Sequence, residues 1–387
     1  MSEWKKVKLR EVCSKIGSGA TPKGGAMVYI DYGTSLIRSQ NVYNLFFEYD
    51  GLSHITENAA EKLKSVTILP NDILLNITGD SVARTCIVPN NVLPARVNQH
   101  VAIIRPKDSI LNSKVLVYYL ASPSMQAHML NLAVGKGASR NAITKAMIEN
   151  FEVPCPSIYT QQRIAEILSR YDSLIENYQK QIKLLEESAQ RLYKEWFIDL
   201  RFPGHENTKI VDGVPEGWDK MKVANIAEFK RGKTITKKEI VEGNIPVVAG
   251  GLEPAYYCNK SNTDERVITI SGSGANAGFT RMYLEKVWAS DCSYIDCSTT
   301  TYLHFIYCFL KASKTNIDNM QKGAAQPHVY AKDINAIDLL LPTNDTLNSF
   351  ERLLTKIYDS VASIQLQIRL LTEARDRLLP KLMSGEI

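Results

Sequence analysis

Apolar positions along the chain fall into two long registers. Ile164, Leu168, Tyr171, Ile175, Tyr178, Ile182, Leu185, Ala189, Leu192 and Trp196 step by four and three residues alternately. Adding 186 to each number gives Phe350, Leu354, Ile357, Val361, Ile364, Ile368, Leu371, Arg375, Leu378 and Leu382, a second run that only Arg375 breaks. A 3.5-residue period held this long is coiled-coil patterning, because it keeps one helix face turned towards a partner. The same shift of 186 lays QIKLLEE (181–187) over QIRLLTE (367–373) and Arg191-Leu192 over Arg377-Leu378. The spacing predicts two copies of one long helix.

The stretches before the helices repeat as well, which fixes the architecture early. GKGASRNAITKAMIENFEVPCP (135–156) aligns at a shift of 186 with QKGAAQPHVYAKDINAIDLLLP (321–342), keeping Lys-Gly-Ala and the final Pro. At the front, EWKKVKLREV (3–12) resembles GWDKMKVANI (217–226) at a shift of 214, so the first block is longer by 28 residues. Between the copies, DLRFPGHENTKIVDGVPEGW (199–218) has the Pro, Gly and charge of a boundary. The expected order is a block over 1–157, a helix over 158–200, a block over 201–343 and a helix over 344–387. The fold class is α+β: two similar globular domains, each followed by a long helix, the helices packed as an antiparallel coiled coil with a pseudo-two-fold axis. About 37 residues at roughly 1.5 Å each make a rod of about 55 Å, longer than the 34–36 Å of one turn of B-DNA.

ITISGSGANAG (268–278) satisfies the G-x-G-x-x-G/A pattern of a dinucleotide turn through Gly272, Gly274 and Ala277. At a shift of 193 its Ile270-Ser271-Gly272 lies over Ile77-Thr78-Gly79 of ITGDSVARTCI (77–87), where Ser81 replaces Gly274. The FTRMYLEKVW that follows alternates as a strand, whereas a phosphate cradle needs a helix N-terminus. The glycines read as a strand-to-strand turn requiring positive φ. Residues 229–234, FKRGKT, end like a phosphate-binding loop, but Ala227 stands where the loop needs its first Gly. Cys292, Cys297, His304 and Cys308 have a spacing that could clasp zinc, yet the corresponding first-copy run has no cysteine. No metal and no cofactor is expected. No Asn-Pro-Pro-aromatic, HExxH or Gly-x-Ser-x-Gly motif is present either, so the chain reads as non-catalytic.

Composition narrows the class without naming it. With 387 residues, 44% hydrophobic and 22% charged, the chain can bury two or three cores. No apolar run of membrane-spanning length occurs, and the seven scattered cysteines read as reduced thiols, so a soluble, cytoplasmic protein is expected. Net charge is +5, and the excess lies in residues 1–155, with 17 Lys+Arg against 12 Asp+Glu; residues 201–342 hold 17 against 16. That suits a polyanion partner but falls short of a self-sufficient nucleic-acid binder.

Together, the two Lys-Gly-Ala segments ending in Pro and the helix opening QQRIAEIL (161–168) are similar to the specificity subunits of type I restriction-modification systems. The likeness covers almost the whole chain. It implies two target-recognition domains, each reading one half of a split double-stranded DNA sequence. It also implies that the helices set the unspecified spacer and dock two modification (methyltransferase) subunits, with restriction subunits joining the full complex. The second helix departs from the motif, with LNSFERLL (347–354) in place of QQRIAEIL. A specificity subunit of a methyltransferase-only or type II-like system, or a protein-only scaffold, is the alternative.

Candidate DNA contacts are drawn from side chains able to meet base edges or phosphates near expected turns. In the first block these are Arg38, Gln40, Asn41, Arg84, Asn98, Gln99, Lys136, Arg140 and Asn141. In the second they are Lys230, Arg231, Lys233, Asn276, Arg281, Lys322, Gln326, His328 and Tyr330. Arg38, Gln40 and Asn41 are the choices for bases, the lysines for phosphate.

Overall fold

The computed structural model describes residues 4–134, 142–236, 239–321 and 327–386. The chain divides into two compact units, one of residues up to Glu176 joined by those from Arg369 onward, the other Asn177–Ile368. No helix among the described residues is long and apolar enough to cross a membrane.

The first unit is built on an antiparallel sheet in the order Cys13–Ser18, Val101–Pro106, Ile73–Asn76, Thr85–Ile87. Its central strands read as unbroken apolar runs because both faces are covered. Ile73, Leu75, Ala102 and Ile104 face a cluster with the helices Ser113–Ala121 and Pro123–Ala133. Leu74, Val101 and Ile103 face a second sheet. That sheet runs Ala95–Val97, Thr34–Ile37, Ser53–Ile55, Tyr29–Ile30, its first pair parallel. Side chains that alternate between opposite faces explain the division. Strand Lys6–Lys8 pairs with Glu152–Pro154 and ties the block's start to its end.

The second unit repeats the plan. Its main sheet is Lys230–Arg231, Cys292–Ile295, Val267–Ser271, Thr280–Tyr283, and its second sheet is Tyr256–Cys258, Ile245–Val248, Trp288–Ala289. Again the last two of these pair parallel, and Asp219–Lys222 pairs with Asp338–Leu341 as start to end. The first unit's additional length includes the hairpin Val42–Tyr43/Phe46–Phe47 and the helix Glu57–Lys62, which have no counterpart among the described residues of the second.

Two long helices, Ile158–Tyr193 and Asn344–Ser384, carry the predicted registers, except that the last position of the first, Trp196, falls in the π-helical turn Lys194–Ile198 that follows. Every seam position is buried or half-buried. In the first unit Ile164 and Leu168 cluster with Leu379, Leu382 and Met383, while Asp172 pairs with Arg375, so the segments run antiparallel. In the second unit the Trp196 and Phe350 rings lie 5.6 Å apart, while Glu186 and Tyr358 line one recess, and the direction is again antiparallel. Arg375, the break in the register, gives 2.8 Å from Nη1 to Asp172 Oδ1, and Asp172 also accepts from the Tyr118 hydroxyl. Charge replaces packing at that one position.

The glycine-rich stretch is a strand-to-strand turn, as its pattern predicts. Val267–Ser271 and Thr280–Tyr283 are antiparallel neighbours, and Gly274 and Gly278 hold φ of 79° and 85°. The repeat alignment needs correcting here. Asn76 faces Val101 and Ser271 faces Cys292 in equivalent pairings, so the shift in this stretch is 195, not 193, and Thr78 corresponds to Ser273. Likeness of the letters Ile-Thr-Gly and Ile-Ser-Gly masked the true register.

Candidate nucleic-acid interface

Five backbone hydrogen bonds draw the loops at one edge of the first unit's sheets together. Gly19 N donates to Val101 O, Ala20 N to Val97 O, Asn98 N to Ile37 O, Ile77 N to His100 O, and Ile143 N to Ile77 O, all between 2.8 and 3.0 Å. The second unit makes the same five: Gly232 N to Cys292 O, Lys233 N to Ala289 O, Ser290 N to Val248 O, Gly272 N to Asp291 O, and Val329 N to Gly272 O, between 2.8 and 3.3 Å. A rim of equivalent loops therefore closes each unit. Its tightest point demands glycine, since a Cβ on Gly19 would stand 2.1 Å from Val97 O and one on Gly232 would stand 2.3 Å from Ser290 O. This close approach, not phosphate binding, is the physical role of the glycine in FKRGKT.

On the first rim lie Asn98, Gln99 and, directly after Ile37, Arg38. Asn98 Oδ1 accepts from His100 N at 3.1 Å, while Gln99 is exposed. Arg38 Nη2 and Gln40 Nε2 both donate to Gly51 O, at 2.8 and 3.2 Å, so they also hold the loop that follows the extra hairpin. Asn41 must be corrected. It is fully buried, its Oδ1 accepts from Arg38 N and its Nδ2 donates to Glu48 O, so its amide clamps a turn and offers nothing to a base. Arg84 O accepts from Asn76 N, next to the rim's Ile77, and its guanidinium lies 4.4 Å from the centre of the exposed Tyr43 ring. Lys136, Arg140 and Asn141 lie outside the described residues.

On the second rim, exposed Arg231 and Lys233 flank Gly232, with exposed Lys230 beside them. His328 and Tyr330 flank Val329, their rings stacked at 5.8 Å, and Ser273 and His328 form an isolated β-bridge. Asn276 lines a recess with Phe279, Lys311 and Lys314. Arg281 is diverted from the rim: Nη1 donates to Leu252 O at 2.9 Å and the guanidinium lies over Tyr283. Lys322 and Gln326 lie outside the described residues.

Four polar side chains at the rims escaped the sequence reading. Thr78 Oγ1 lies 2.6 Å from His100 Nδ1 in the first unit, and Ser273 Oγ donates to Asp291 Oδ2 at 2.5 Å in the second. A hydroxyl residue just past the central strand, repeated at the 195 shift, was the available signal. The zinc-like residues do not come together: Cys292 and Cys308 sit in different apolar clusters, Cys297 is exposed and His304 is bonded to Glu351. Burial pushes the Cys292 thiol up to about 12 and raises that of Cys308 also.

A mixed α/β unit with a loop rim, present twice and followed each time by a long helix, defines a class of internally duplicated proteins. The family model for the type I restriction modification DNA specificity domain matches residues 1–187 and 215–364, and the chain belongs to that family. It is 27% identical over 412 residues to the type I restriction enzyme MjaIX specificity subunit of Methanocaldococcus jannaschii, covering 100% of this chain and 94% of that one. The HindI specificity subunit of Haemophilus influenzae is 21% identical over the full length of both. The crystal structure of an S subunit from M. genitalium shares the fold with a TM-score of 0.54, at 17% identity and over 98% of this chain and 96% of that one.

Proposed function

We propose that this chain is the non-catalytic reading subunit of a type I restriction-modification complex, its target-recognition domains at 1–157 and 201–343 each reading one half of a bipartite DNA target. The observation that carries the reading is the set of five equivalent hydrogen bonds that builds one rim in each unit. On the first rim Arg38 and Gln99 are the base-reading side chains, with the buried Asn98 shaping the loop that carries Gln99, and on the second Arg231, Lys233, His328 and Tyr330 supply phosphate and base contacts. The paired helices set the unspecified gap and dock two modification subunits per chain, with restriction subunits added in the full complex. Two similar helices offer two similar docking faces.

Exchange of residues 1–155 for the equivalent block of a related subunit tests this, with methylated sites mapped after assembly with modification subunits. One half of the target changes while the other half and the gap stay. A simultaneous change of both halves would overturn independent reading, and methylation or cleavage by the chain alone would overturn the non-catalytic role. Seven residues inserted after Leu185 keep the seam in phase and lengthen that helix by about 10 Å. The gap grows by about one to three base pairs at roughly 3.4 Å each, and an active insertion mutant with the original gap would remove the helices as the ruler.

A further inference from the structure

We propose that Asp291 is a base-reading residue of the second unit, its carboxylate accepting a hydrogen bond from the exocyclic amino group of a cytosine or adenine in the major groove. The inference rests on the reading of this chain as a DNA-specificity subunit. Asp291 stands on the rim, held there by the bond from Gly272 N to its carbonyl. Ser273 Oγ donates to Oδ2 at 2.5 Å, which orients the carboxylate, and Oδ1 has no hydrogen-bond or ionic partner among the described residues. The side chain is half-buried, and a Cβ on Gly272 would stand 3.6 Å from Oδ1. A side chain at 272 would rest against that oxygen, and glycine places none there.

The electrostatics make the position informative. Exposed Arg231 and Lys233 flank the neighbouring rim segment, as suits contact with a polyanion. A carboxylate among them repels phosphate and weakens binding to every sequence alike, unless it meets a hydrogen-bond donor. In the major groove the amino groups of cytosine and adenine are the only base donors. An acceptor-only carboxylate discriminates for them and against the acceptor edges of guanine and thymine. At the equivalent place the first unit carries His100, bonded to Thr78, whose imidazole has both a donor and an acceptor nitrogen when neutral. One backbone frame thus presents different hydrogen-bonding chemistry in its two copies, which is what reading two unlike half-sites requires.

The test uses the chain assembled with modification subunits on unmodified genomic DNA, mapping methylated sites for wild type, Asp291→Ala, Asp291→Asn, Ser273→Ala and the double variant Arg231→Glu/Lys233→Glu. Asp291→Ala relaxes one base position in one half-site, discrimination there falling about tenfold or more, while the other half and the gap hold. Asp291→Asn, which keeps size and adds a donor, shifts preference at that same position, and Ser273→Ala relaxes it more weakly. The proposal is overturned if both Asp291 variants melt as wild type does and keep the whole target, or if they change methylation equally at all sites. The charge reversals separate the two levels. Lost DNA affinity in the double variant with an unchanged target in the Asp291 variants sinks Asp291 alone; unchanged affinity in the double variant sinks the rim as the DNA face.

Discussion

The roots of the two long helices occupy equivalent positions yet are anchored by different chemistry. In the first unit Gln161 is fully buried: its Oε1 accepts from Asn112 N at 2.8 Å and its Nε2 donates to Ile110 O and Pro156 O, each at 2.9 Å. Asn112 in turn caps Ser113–Ala121 by accepting from Lys114 N and Val115 N. The amide of the long helix fixes the cap of its neighbour. In the second unit the matching residue, Leu347, is apolar and fully buried, and Tyr302 gives helix Leu303–Ala312 no side-chain cap. One turn further along, Glu351 fills the need itself: Oε1 accepts from Phe305 N at 2.8 Å and Oε2 from His304 Nδ1 at 2.7 Å. A carboxylate at a helix N-terminus also gains from the helix dipole.

The departure of LNSFERLL from QQRIAEIL is therefore an internal exchange of anchors. His304 must donate through Nδ1, because its partner oxygen belongs to a carboxylate. Its ring stacks on Tyr358 at 5.0 Å, and Arg266 links its Nε2 side to Asp359. Around these groups the second root is aromatic, with Tyr193, Phe197, Phe305 and Phe350 in one cluster. The first root uses smaller side chains, including Ile164, Ala165 and Leu168. The lesson is that a duplicated fold preserves the demand, here uncapped N–H groups at a buried helix start, more faithfully than the residue that meets it.

Breaking the second anchor is expected to have the largest effect. Glu351→Ala leaves Phe305 N without its acceptor and His304 without its partner in a buried place, costing about 3–5 kcal/mol by analogy with other broken buried pairs. Denaturant titration reads this, and a loss below about 1 kcal/mol would show that Glu351 is dispensable there. Next, Gln161→Leu strips partners from Asn112 N and two carbonyls and costs about 2–4 kcal/mol. Its mirror, Leu347→Gln, buries an amide where the second unit has no arrangement to receive it and costs about 1–3 kcal/mol. If Leu347→Gln stabilised the protein, the two roots would be interchangeable and the comparison would fail.

The smallest effect is expected at Arg375. Arg375→Leu restores the apolar register but unpairs Asp172, whose side chain is 32% exposed and keeps the Tyr118 bond, so solvent compensates in part. Stability changes by about 1 kcal/mol or less in either direction. A loss several times larger in thermal unfolding would mean that the Arg375–Asp172–Tyr118 group organises the first unit.

The helices were legible in the sequence because a seam period is a local property. Ile164 to Trp196 and Phe350 to Leu382 announce one helical face whatever lies opposite, since 3.5-residue spacing turns that face by nearly nothing per heptad. Gly274 and Gly278 were legible for a similar reason, a turn needing positive φ being written in the residues that form it. The candidate site was legible only in part. Lys233 and Gln99 looked like surface cations and amides and are exposed, but Asn41, chosen for the same polarity, is buried as a turn clamp.

What the chain order alone determined is therefore the duplication, the two helices and the resemblance to DNA-specificity subunits. Tertiary structure decided which loops meet. Gly19 reaches Val97, and Gly232 reaches Ser290, across more than 50 residues of intervening chain. No local pattern encodes such a contact, because it depends on two sheets closing over a shared core. The same closure set Thr78 against His100, Ser273 against Asp291 and Glu351 against His304. A hydrogen bond depends on distance and angle within tenths of an ångström, and residues far apart in sequence acquire that geometry only when packing has placed their backbones.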